Sequence, residues 1–118
     1  MSSIFITAGI RDATSNFEVA VNQLAITTTG GDFDYRRISV GTSEEEHTFN
    51  TDIGNANQML FINRNATNYV EVGYATTVYS HKVLAGHPML ISLQPTQASI
   101  FLKANTAACD CEIYVREV

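Results

Sequence analysis

Tryptophan is missing from these 118 residues, and cysteine, proline and lysine occur only twice each. Two cysteines, Cys109 and Cys111, are too few for the disulfide framework that holds small secreted domains together. Charge is scarce as well: charged residues make up 16% of the chain, against roughly 25% in ordinary soluble domains. The net charge is -5 and no Lys/Arg cluster exists, which argues against nucleic acid as a partner. No run approaches the ~18 consecutive apolar residues of a membrane-spanning helix. An apolar share of 45% also excludes a disordered chain, which combines low hydrophobicity with high net charge. The N-terminus, Met1-Ser2-Ser3-Ile4-Phe5-Ile6-Thr7, has neither the basic nor the apolar segment of a secretory signal, so synthesis in a reducing cytosol is expected. A chain this long buries roughly two-thirds of its unfolded surface, enough for one domain with a modest core.

What is present is β-structure. Phe17, Val19 and Val21 alternate with Glu18, Ala20 and Asn22, the period-two mark of a half-buried strand, which Leu24 and Ile26 continue. A turn follows at residues 27–32. Phe33, Tyr35 and Arg37-Ile38-Ser39-Val40 form the next strand, and a short one lies around His47-Thr48-Phe49. Met59-Leu60-Phe61-Ile62 is apolar at successive positions, which predicts cover on both faces. Asn63, Asn65 and Asn68 suit the turn after it. Further strands are expected at Tyr69–Gly73, Thr76–Ser80 and Met89–Leu93. In the next, Ala98, Ile100, Leu102 and Ala104 share a face. In the last, Cys111, Ile113 and Val115 point inward and Glu112, Tyr114 and Arg116 outward. About eight to ten short strands with turn signals between them predict an all-β, single-domain antiparallel β-sandwich, jelly-roll-like, over residues 1–118. Residues 1–15 are read as an N-terminal arm or edge strand.

Motifs with catalytic or ligand-binding content are few. Cys109 and Cys111 lie on one face of a strand, with no Cys-x-x-Cys or His-x-x-x-His nearby to complete a zinc site. A disulfide between them would span ~6.6 Å of strand, near the strained limit, so a small hydrophobe at the start of the last strand is the better reading for at least Cys111. His47, His81 and His87 are scattered. No Gly-x-Ser-x-Gly elbow or glycine-rich phosphate loop occurs. Glu44-Glu45-Glu46-His47 matches no calcium loop and reads as a solvated or partner-facing acidic stretch. No metal, no cofactor and no enzymatic activity are expected. The tyrosines fall mostly in strands, where they cover sheets. Few charges and many Thr, Asn, Ser and Gln favour an assembly subunit, because low Lys and Glu content is what buried interfaces prefer.

One resemblance bears on function. Ile38-Ser39-Val40-Gly41-Thr42-Ser43-Glu44-Glu45, then Leu60 through Gly73 with its Asn65-Ala66-Thr67-Asn68-Tyr69-Val70-Glu71-Val72-Gly73 element, then Met89–Leu93 and Ile100–Ala108 follow one another in an order. That order resembles a group of small all-β virion structural proteins of tailed bacteriophages. The likeness covers residues 38–118 and brings no active-site motif with it. It implies a virion protein, read here as a capsid decoration (cement) protein on the outer surface of the shell, made in the host cytoplasm. Its partner would be the major capsid protein, and it would form a homo-oligomer, a trimer, with neither nucleic acid nor membrane involved. Ile4, Phe5, Ile6 and Ile10 would form an added strand on a neighbour, and Ala107, in a small-residue loop, would approach another subunit. The rival readings are a tail or fibre module that binds a receptor or glycan through tyrosines and Asp32, Asp34 or Glu44–Glu46, and a head-to-tail connector subunit.

Overall fold

The computed structural model describes residues 2–15, 17–28, 32–54 and 56–117, with side chains left undescribed at 2–4, 26–28 and 57. Regular structure among them is β throughout: β1 (Ser2–Asp12), β2 (Phe17–Thr28), β3 (Phe33–Val40), β4 (Glu45–Thr48), β5 (Ala56–Asn63), β6 (Val70–Gly73), β7 (His81–Val83), β8 (Pro88–Ser92), β9 (Ser99–Ala104) and β10 (Cys109–Glu117). The chain divides into two compact units, residues 1–31 and 32–118.

The second unit is the sandwich. One four-stranded sheet has the order β3-β10-β5-β8 and the other β4-β9-β6-β7, with every pairing antiparallel. Counted from β3, the eighth strand lies between the first and third, and the seventh lies between the second and fourth. That nested order is a jelly roll. The inner faces supply the core. Met59, Phe61, Cys109, Cys111, Ile113 and Val115 come from the first sheet, and Val70, Val72, Ile100, Leu102 and Ala104 come from the second. Of the expected shared face on β9, Ile100, Leu102 and Ala104 are buried, whereas Ala98 precedes the strand and is exposed; the inward set Cys111, Ile113 and Val115 on β10 is buried as expected.

Two expectations need correction. Met59–Ile62 is covered on one face only: Met59 and Phe61 are buried, whereas Leu60 and Ile62 are half-buried on the outer face of their sheet. Thr76–Ser80, rich in β-formers, is a turn with an isolated Ala75–Val78 bridge, and the strand begins at His81. Tertiary contacts override propensity there. The Glu44 carboxylate accepts hydrogen bonds from Thr76 Oγ1 (2.7 Å), the Thr77 amide (2.6 Å) and Tyr79 Oη (2.7 Å), and Thr77 adopts a φ of 58°. The turn closes onto Gly73, where an added Cβ would lie 1.9 Å from the Val78 carbonyl oxygen, so only glycine fits.

The Asn-rich connection from β5 to β6 is held by its own amides. Asn63, fully buried, donates from Nδ2 to the carbonyls of Asn68 (2.9 Å) and Val83 (3.1 Å), and its Oδ1 accepts from the Asn65 amide (3.0 Å). Asn65 Oδ1 in turn accepts from the amides of Thr67 and Asn68. Asn68 Oδ1 accepts from Thr106 Oγ1 (2.8 Å), which ties the connection to the β9–β10 loop.

The first unit is a two-stranded antiparallel hairpin, β1 with β2. Asp12 shapes its end, accepting hydrogen bonds from the Thr14 amide (2.9 Å) and Ser15 Oγ (2.7 Å).

Candidate interaction surfaces

The hairpin has one apolar face. Its register pairs Ile6 with Leu24, Ala8 with Val21, Ile10 with Val19 and Asp12 with Phe17. Residues 21 and 24 lie three apart, so a regular strand would send them to opposite faces. A β-bulge restores the phase: between Ile6 and Ala8 the register shifts, and Asn22 and Gln23 together face Thr7. Gln23 adopts a φ of 53°, and its amide donates to Thr7 Oγ1 (3.3 Å). As a result Ile6, Ala8, Ile10, Phe17, Val19, Val21 and Leu24 share one side. Ile10 is 69% exposed, and Phe17, Val19, Val21 and Leu24 are also exposed. The other side carries Gly9 opposite Ala20 and Arg11 opposite Glu18, with Phe5 opposite Ala25.

Of the contact residues expected from sequence, Ile6 and Ile10 belong to the apolar face and Phe5 to the opposite one. The side chain of Ile4 lies outside the described residues, and its backbone stands opposite Ile26. The N-terminal strand already has a partner, β2, within its own chain. Ala107 is exposed in the β9–β10 loop.

A second surface lies on the outer face of β3-β10-β5-β8. Register sets Tyr35 beside Tyr114, Tyr114 beside Leu60 and Leu60 beside Leu90, a row crossing all four strands. The two tyrosine rings pack with centroids 4.6 Å apart, and Phe33, at the end of β3, is 67% exposed. Beneath the tyrosines sits Glu112, only 8% exposed although it is on the outward side of its strand. Its Oε2 accepts from Arg64 Nε (2.7 Å) and its Oε1 from the hydroxyls of Tyr35 (3.3 Å) and Tyr114 (3.4 Å). The hydrogen bond from Arg64 holds the Glu112 carboxyl below its ordinary value, against the opposing effect of burial. Burial, with Tyr114 alongside, raises Tyr35. Arg37 and Asp110 pair at 2.6 Å on the same face. Alternation could predict that Glu112 points outward; its burial depends on Arg64 arriving from the β5–β6 turn, which no local pattern encodes.

The outer face of the other sheet is mostly polar: Lys103, Glu71 and Lys82 stand in cross-strand register, Thr48 lies opposite Ser99, and Glu46 lies opposite the half-buried Phe101. Beside it, two open depressions of about 320 and 370 Å³ share Ser80, His81 and Lys82. The Lys82 ammonium lies over the Tyr69 ring, 4.3 Å from its centroid.

The acidic stretch is occupied internally. Glu44 holds the 76–79 turn, Glu45 accepts from the Gly41 amide and meets His47 at 3.0 Å, and Glu46 accepts from Ser99 Oγ (2.9 Å). Tyr79, half-buried and donating to Glu44, is pushed up to about 12. Asp34 is engaged too, with the Asn50 amide (2.7 Å) and Arg36 (2.9 Å). Cys109 and Cys111 are free thiols buried in the core, and burial pushes Cys111 up to about 12. Among the described residues no group of three or more His, Cys, Asp or Glu side chains is placed to hold a metal ion. Nor do the described residues contain a helix long and apolar enough to cross a membrane.

No family model, curated protein or solved structure matches this chain.

Proposed function

We propose that this protein is a virion structural subunit, a decoration protein that binds the outer surface of a bacteriophage capsid and stabilises the shell. The observation that carries the reading is the uncharged row Tyr35-Tyr114-Leu60-Leu90, with Phe33 beside it, on the outside of a folded sandwich. Exposed apolar patches of this kind on a soluble domain mark docking surfaces. Tyrosine and phenylalanine are enriched where protein interfaces bury their centres, and the Arg37–Asp110 pair suits a polar rim. Each contact can be weak, because a shell repeats it by symmetry over many copies.

The test is the copy number of this chain relative to the major capsid protein in purified particles, by quantitative mass spectrometry. Near-stoichiometric amounts support decoration. A handful of copies per particle would overturn it in favour of a tail, fibre or connector, and absence from particles would end the virion reading. The stacked Tyr35–Tyr114 pair favours one alternative, a glycan-binding module, since sugars dock on aromatic faces. Glycan-array binding lost in Tyr114→Ala would support that reading instead.

A further inference from the structure

We propose that the hairpin is a trimerisation element. Three copies of the chain bring β1 of one beside β2 of the next and close a six-stranded antiparallel barrel with the apolar faces inside. Two observations point to other copies of the chain as the occupant. First, the apolar face is unbroken from Phe17 to Leu24 only because of the bulge at Asn22-Gln23, a strained left-handed residue that would serve nothing if the face were left in water. Second, both long edges lack a partner among the described residues, since the sheet has two strands. Edges of this length are usually blunted by lysine or proline. Here β1 and β2 contain neither, and the charges Arg11, Asp12 and Glu18 are confined to the turn end.

Geometry selects three copies over two. Eleven residues at a rise of ~3.4 Å and two strands ~4.8 Å apart make a face of about 350–400 Å². Two such faces stacked together cover one face of each hairpin but leave all four edges open. Closing three hairpins in a ring buries every face and pairs every edge at once. Up and down strands alternate around the ring, so each new pairing is antiparallel. A six-stranded barrel is narrower than the eight-stranded barrels whose interiors side chains just fill, and the small Ala8 opposite Val21 suits its middle.

This inference goes beyond the docking role and does not rest on it. A trimer in solution that is absent from particles would leave it standing, whereas a solution monomer that coats particles would overturn it alone. Sedimentation equilibrium of the full chain is expected to give three times the 12.9 kDa chain mass. Val19→Lys, on the apolar face, should reduce this to one chain mass, and Ala20→Lys, one residue away on the opposite face, should leave the trimer intact. Deleting Gln23 should also give monomer, since it keeps the apolar residues but sends Leu24 to the other face. Retention of the sandwich's thermal transition shows that each variant still folds. A monomeric or dimeric parent chain, a trimer surviving Val19→Lys, or dissociation by Ala20→Lys would each overturn the proposal.

Discussion

In β10, Cys111, Ile113 and Val115 alternate with Glu112, Tyr114 and Arg116; in β2, Phe17, Val19 and Val21 alternate with Glu18, Ala20 and Asn22. The local pattern is the same, and the outcomes differ. The β10 set is packed against a second sheet and fully or nearly fully buried, while the β2 set stands exposed. Alternation therefore specifies which face of a strand is apolar and leaves open what covers it. In residues 32–118 the cover is supplied by the same chain, through the jelly-roll pairing. In residues 1–31 the hairpin has the apolar face without the second layer, and a lone two-stranded hairpin is marginally stable in water.

Substitutions can sharpen that contrast. The largest effect is expected from Phe61→Ala, which empties a fully buried site and should cost the sandwich about 3–5 kcal/mol in chemical denaturation. Val19→Ala, at a half-exposed position, should move the same transition by less than about 0.5 kcal/mol. Equal losses at the two sites would erase the distinction between the units. Asn63→Ala comes next: it leaves the carbonyls of Asn68 and Val83 without their amide donor in the interior, at about 1–3 kcal/mol.

The smallest effect in the sandwich is electrostatic. The Glu112 carboxyl is held below its ordinary 4.5 in the folded protein, so its contribution is present above that value and fades as pH falls below it. Glu44 and Asp110 are lowered as well, by Tyr79 and Arg37 respectively, and act in the same direction. The melting temperature of the sandwich should decline from about pH 4.5 downward, and Glu112→Gln should flatten the slope. An unchanged profile in that variant would mean that the Arg64 pair contributes nothing to stability, as many exposed ion pairs do.

Much of the sandwich is legible in the sequence because its strands keep strict phase. Ile100, Leu102 and Ala104 are read inward from their spacing alone, as are Ile113 and Val115. The asparagines at 63, 65 and 68 announce their turn through their own hydrogen-bonding chemistry. Legibility fails where a distant residue decides. Thr76–Ser80 has strand-forming residues, but Glu44, more than thirty positions away, ties them into a turn. The bulge escapes notice because glutamine is not a residue that signals a left-handed backbone. Its trace is the slip from Val21 to Leu24, three positions where two would keep the beat. The aromatic row on the outer sheet face becomes visible only once strand order is known, since its members come from β3, β10, β5 and β8.

The two thiols have a practical consequence. Cys109 and Cys111 have no exposed surface, and both are pushed up by burial, so the reactive thiolate is suppressed while the sheets stay closed. A thiol-specific reagent therefore meets them only when the sandwich opens, and the rate of modification at neutral pH becomes a clock for that opening. The hairpin contains no cysteine, so its own fraying leaves the clock untouched. The chain thus carries a built-in reporter of one unit's integrity that is blind to the other.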